Sequence, residues 1–165
     1  MHTLFVWLET SAFSVWVRES TSVLAFPTIL SLHTIGMGVV AGMSAAIDLR
    51  ILGIAPQVPL LELKRFFPII WMGFLLSVAS GVVLLIGYPT KALTNPVFYT
   101  KLGFVALGLI ALRAIGRRVF RDPSLDSGPV PPTGRLLAAA SLVCWAGAIA
   151  TGRFLAYTYV HLMSA

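Results

Sequence analysis

Charge is scarce in this chain. Of 165 residues only 11% are charged and six are acidic, whereas soluble domains carry about 25% charged residues. Too little polar surface is available to cover a water-soluble domain of this length. Cysteine is scarcer still: Cys144 stands alone in an apolar run. That excludes an intramolecular disulfide and a cysteine-rich metal site, and Cys144 reads as a small hydrophobe. No HExxH, phosphate loop, redox CxxC, paired carboxylates or activated nucleophile is present, so hydrolase and nucleotide-binding chemistry find no support. The N-terminus lacks the basic start and cleavage site of a secretory signal peptide, so targeting is expected to rest on the first spanning helix.

What fills the space is apolar. Hydrophobic residues make up 58% of the chain, and the mean hydropathy is +0.90. The long apolar runs exceed the roughly 18 residues that mark a membrane span. The expected fold is an all-α membrane protein, a single integral domain of four transmembrane helices in an up-down bundle. The spans are expected at about 22–47, 66–86, 97–115 and 136–160. Residues 3–19 are shorter, carry two tryptophans and are interrupted at Glu9, which suits an interfacial amphipathic helix. The stretch 122–134 is rich in proline and polar residues and reads as an exposed, extended loop.

The net charge of +6 and pI of about 10.1 do not point to nucleic acid, because the basic residues gather between apolar runs. Anionic headgroups of membrane lipids are their natural partners. Eight of the twelve flank the loops after the first and third spans: Arg50, Lys64, Arg65, Arg113, Arg117, Arg118, Arg121 and Arg135. The positive-inside bias then puts these loops in the cytoplasm of a bacterial inner membrane, with both termini periplasmic.

The candidate chemistry centres on His33. It falls about eleven residues into the first run, roughly 16 Å deep at 1.5 Å per residue. An ionisable group there must be neutral, paired or liganding. Three readings follow: a neutral histidine hydrogen-bonded across the bundle, an axial haem b ligand, or a quinone or proton-path residue. For haem, Arg153 and Lys101 stand at depths where propionates would meet them, and Met37 is an available second ligand. No second histidine lies at the depth of His33, since His2 and His161 are near the ends. Arg153 otherwise snorkels to headgroups or pairs with Glu9. Asp48 and Arg50 are expected to form an interfacial ion-pair cluster with Glu62, Lys64 or Arg65. Small residues four apart, Gly38, Gly42 and Ala46 in the first run and Gly73, Ser77 and Gly81 in the second, are expected to be packing faces within the bundle or in an oligomer.

Phe26-Pro27, His33, IDLRILG at 47–53, FFPIIWMGFLLSVASG at 66–81, NPVFYTKL at 95–102 and SLVCWAGAIATGRFLAY at 141–157 form a recurring pattern. Over nearly the whole chain it resembles a bacterial family of four-span membrane proteins of unknown function. The histidine of the first span and the arginine of the fourth are more loosely similar to copper-resistance inner-membrane proteins and small b-type cytochromes. That looser likeness implies His33 as a metal ligand. The functional expectation is a redox or electron-transfer subunit, with haem or quinone near His33 and a membrane or periplasmic redox partner. The alternatives are a cofactor-free assembly subunit forming a homo- or hetero-oligomer, and a small-solute or ion pathway.

Overall fold

The computed structural model describes residues 7–120 and 130–162; most of the 122–134 loop therefore lies outside the described residues. A helical turn at 7–9 leads to α1 (Ala12–Glu19), followed by the four long helices α2 (Phe26–Ile51), α3 (Phe66–Gly87), α5 (Pro96–Arg118) and α6 (Pro132–Leu162). A single 3-10 turn, Leu61–Arg65, runs into α3, and the short α4 (Pro89–Leu93) joins α3 to α5.

Each long helix is apolar enough to cross a membrane. Large apolar side chains lie exposed on all four, among them Ile35, Met72, Leu75, Ile110 and Val143. In water this belt would be an aggregation surface; in a bilayer it is the face lipid covers. The chain is a multi-pass membrane protein. Hydroxyls on the exposed face of α2 bond back to their own helix: Ser31 donates to the Pro27 carbonyl at 2.8 Å and Thr34 to that of Leu30 at 2.9 Å. Such back-bonding removes the cost of a bare hydroxyl in hydrocarbon.

The helix ends follow local chemistry more than apolar content. Pro27 occupies the first turn of α2, where its missing amide proton costs nothing, so the helix begins at Phe26. It continues through Asp48 and Arg50 to Ile51. The expected span 22–47 is thereby displaced four residues towards the C-terminus. Asn95 caps α5 by accepting from the Val97 amide at 2.9 Å, which fixes the start at Pro96.

Packing is pairwise. α2 packs along α3, α5 packs along α6, and a smaller α2–α6 contact joins the two hairpins. The described helices α3 and α5, adjacent in sequence, do not pack side by side. The up-down expectation that each span neighbours the next therefore holds within the hairpins and lapses between them. The buried core runs through Val40, Ile47, Ile51, Ile70, Leu112, Ile115 and Trp145.

Glycine permits close approach within both hairpins. A Cβ on Gly36 would meet the Gly73 carbonyl at 2.7 Å and the Ser77 amide at 2.8 Å, so α2 and α3 touch backbone to backbone there. A Cβ on Gly108 of α5 would meet the Trp145 indole of α6 at 3.0 Å. The Gly73, Ser77 and Gly81 row faces α2 as its spacing implies. The Gly38, Gly42 and Ala46 row does not pack within the bundle: all three are exposed, with open space beside Gly38 and Gly42. α2 carries two rows of small residues, and the one containing Gly36 is the row that meets α3.

α1 is fastened to the end of α3. Ser14 Oγ donates to the Gly87 carbonyl at 3.3 Å, and Val17 packs where Gly87 has no side chain. Glu9 Oε1 accepts from the Thr90 amide at 3.2 Å, while Arg18 donates to the Glu9 carbonyl at 2.8 Å. Phe13 and Trp16 remain exposed, consistent with a helix lying at the headgroup level.

Candidate functional site

His33 of α2 sits seven residues from the start of its helix, Gly81 of α3 six from its end, and Lys101 of α5 five from its start. At 1.5 Å per residue these positions share a level roughly 8–10 Å inside the helix ends. The expected mid-membrane depth of His33 is corrected accordingly: the later start of α2 puts it in the outer third of the span.

The ring nitrogens of His33 are both engaged. Nδ1 lies 2.9 Å from the Ser77 carbonyl oxygen, which can only accept, so Nδ1 carries the proton. Ser77 Oγ at 3.3 Å and Ser80 Oγ at 3.5 Å flank the same nitrogen. In the neutral ring Nε2 is then the acceptor, and Lys101 Nζ donates to it across 3.2 Å. The tautomer is thus assigned by its partners. Gly81 makes room for the ring, since a Cβ there would stand 3.1 Å from His33 Cε1. Gly152 of α6 borders the Lys101 stem, with a Cβ position 3.6 Å from Lys101 Cε. All four long helices contribute to one half-buried polar centre.

An ammonium group has three donor hydrogens. One is committed to His33 Nε2, so Lys101 retains donors for an oxygen ligand entering beside it. Lys101 therefore meets His33 directly, where the sequence suggested a meeting through a propionate. Met37, one turn beyond His33, packs against the hydrophobic core. Arg153 is exposed and its guanidinium lies over Tyr157, 5.9 Å from the ring centre. Of the two expectations for Arg153, snorkelling to headgroups or pairing with Glu9, the pair does not form: Glu9 serves the Thr90 amide instead. The described part of His161 is its backbone only.

A haem fit can be tested on these residues. The Nε2 lone pair that would bind iron already accepts from Lys101. No group of three metal-capable His, Cys, Asp or Glu side chains occurs among the described residues. With Nε2 engaged by Lys101, His33 does not fit an axial haem ligand.

A second polar cluster departs from the sequence expectation. Asp48 does not join an ion-pair cluster at the surface; it is 0% exposed, as are Ser44 and Ser141, and Trp145 is 2% exposed. Ser141 lies beside the carboxyl, yet both Asp48 oxygens, both serine hydroxyls and Trp145 Nε1 lack hydrogen-bond partners among the described residues. Arg50 turns the other way and donates through Nε to the Val58 carbonyl, holding the loop against α2. Arg135 donates to the Leu52 carbonyl at 3.2 Å, and Glu62 pairs with Arg65 at 3.8 Å. Asp48 shares the buried face of α2 with Ser44, Ile47 and Ile51, and that periodicity was the signal available for its burial.

Comparison of the chain with protein-family models, with curated proteins and with solved structures yields no match.

Proposed function

We propose that this membrane protein is a subunit of an electron-transfer assembly that receives a quinone-type carrier at the His33–Lys101 pair. The observation that carries the reading is the 3.2 Å contact between Lys101 Nζ and His33 Nε2. It holds a cationic donor, with hydrogens to spare, inside an apolar span. A quinone carbonyl needs such a donor, and its reduction takes up protons along with electrons. Lys101 supplies the hydrogen bond. His33 orients Lys101 through Nε2 and is itself fixed by the Ser77 carbonyl. Electrons come from a redox-active partner subunit. The likeness to an uncharacterised four-span bacterial family suits this setting and adds no activity to it.

The test uses the detergent-purified full chain titrated with a short-chain quinone. Binding is expected to weaken about tenfold in Lys101→Met, the loss of one charge-assisted hydrogen bond of about 1.4 kcal/mol. His33→Leu is expected to weaken it less. Equal affinity in wild type and Lys101→Met sinks the reading, as does a Soret band in the purified protein that His33→Leu abolishes.

A cofactor-free assembly subunit is the second reading. It is supported by the outward row of Gly38, Gly42 and Ala46, which suits close contact with another membrane helix. The ion-pathway reading gains least, because apolar Met37 and Val40 separate His33 from Ser44 along α2.

A further inference from the structure

The gap between α3 and α5 is bridged by side chains at its basic end. Phe67 and Trp71 of α3 and Leu112, Arg113, Gly116 and Arg117 of α5 line an open cavity of about 310 Å³. Gly116 keeps it open: a Cβ there would stand 3.1 Å from the Phe67 ring. The walls are apolar and the rim is cationic. The Arg113 guanidinium lies over the Trp71 ring, 4.9 Å from its centre. Stacking engages the face of a guanidinium and leaves its in-plane N–H donors free. Arg117 is one helical turn further on, towards the end of α5. The ion pairs among the described residues are Arg18–Glu19 and Arg65–Glu62, so neither Arg113 nor Arg117 meets a carboxylate there.

We propose that this groove is a binding site for an anionic phospholipid, with the phosphate held by Arg113 and Arg117 and acyl chain against Phe67, Trp71 and Leu112. Depth agrees with that occupant. Arg113 lies five residues from the end of α5 and Arg117 one, or roughly 8 Å and 2 Å along the axis. Both arginines thus lie in the last two turns of the span, where basic side chains reach headgroups. Arginine binds phosphate oxygens in pairs through its planar fork, and two guanidinium groups that meet no carboxylate among the described residues favour a net negative headgroup over a zwitterion. A free phosphate would satisfy the arginines and leave the apolar walls uncovered; a lipid uses both. The site lies at the opposite end of the spans from His33 and does not depend on the quinone reading.

The experiment is native mass spectrometry of the full chain released from detergent. The probes are phosphatidylglycerol and phosphatidylcholine of identical acyl chains. Preferential retention of phosphatidylglycerol is expected, with about a fivefold loss for Arg117→Gln and about 25-fold for Arg113→Gln with Arg117→Gln, at the strength of a basic residue near an anionic headgroup. Both arginines are exposed, so the substitutions leave the core untouched. Arg65→Gln, which removes an equal charge outside the groove, is expected to change retention less than twofold. Equal retention of the two lipids overturns the proposal, as does a loss in Arg65→Gln matching that in Arg117→Gln. Full displacement of the lipid by millimolar inorganic phosphate reassigns the site to a free anion and also overturns it.

Discussion

His33 and Asp48 stand fifteen residues apart on the same helix and meet opposite fates. At His33 both ring nitrogens have partners, from α3 on one side and α5 on the other. At Asp48 neither oxygen has one among the described residues, and the polar groups around it are equally unsatisfied. A buried polar group is tolerated when its hydrogen bonds are made and is costly when they are not. The outer centre, nearer the helix ends, therefore has its hydrogen bonds made within the bundle, whereas the described residues leave the polar groups about Asp48 unbonded.

The comparison is broken most severely at the contact that builds the outer centre. Gly36→Leu forces a side chain into the Gly73 carbonyl and Ser77 amide, so α2 and α3 must separate. A loss of about 3 kcal/mol is expected, the upper range for overpacking, measured by the unfolding midpoint in mixed SDS micelles. A midpoint unchanged from wild type would mean that the backbone approach at Gly36 is unimportant.

Removing each polar group in turn sharpens the contrast, because the signs are opposite. Asp48→Ala deletes the buried carboxyl without adding volume to the site, and a gain of about 1 kcal/mol is expected by the same denaturation. A fall in stability would show that the carboxyl is bonded, through water or an ion, in the native protein. His33→Leu deletes a satisfied group and leaves Lys101 without its acceptor. A loss of about 1 kcal/mol is expected, in keeping with single interhelical hydrogen bonds in membranes. Stabilisation by His33→Leu would erase the distinction between the two regions.

The spans were legible because nothing but lipid explains four long apolar runs, and the second was placed within a residue of its observed ends, Phe66–Gly87. The first was misplaced because hydropathy counts Ser22–Ala25 as membrane and Asp48 as surface, whereas Pro27 and helix periodicity govern the actual bounds. His33 and Lys101 are each visible as odd polar groups in apolar helices. Their meeting was not, since it depends on α2 and α5 sharing a level across a bundle in which they are not sequential. Small-residue spacing identified the correct face of α3 and the outward face of α2. Spacing alone cannot rank two such rows on one helix, because the partner's shape makes the choice.

The sparse packing between α3 and α5 has a mechanical consequence. The α2–α3 and α5–α6 hairpins share one extended spine, along α2 and α6, while α3 meets α5 through Phe67, Trp71, Arg113 and Gly116 at the basic end. Such an object resists sliding along the spine and yields to rotation about it, as two boards do on a hinge. Thickness and lateral pressure in the surrounding bilayer act on the loosely packed edge, and the Lys101–His33 bond ties the first board to the second at the outer end.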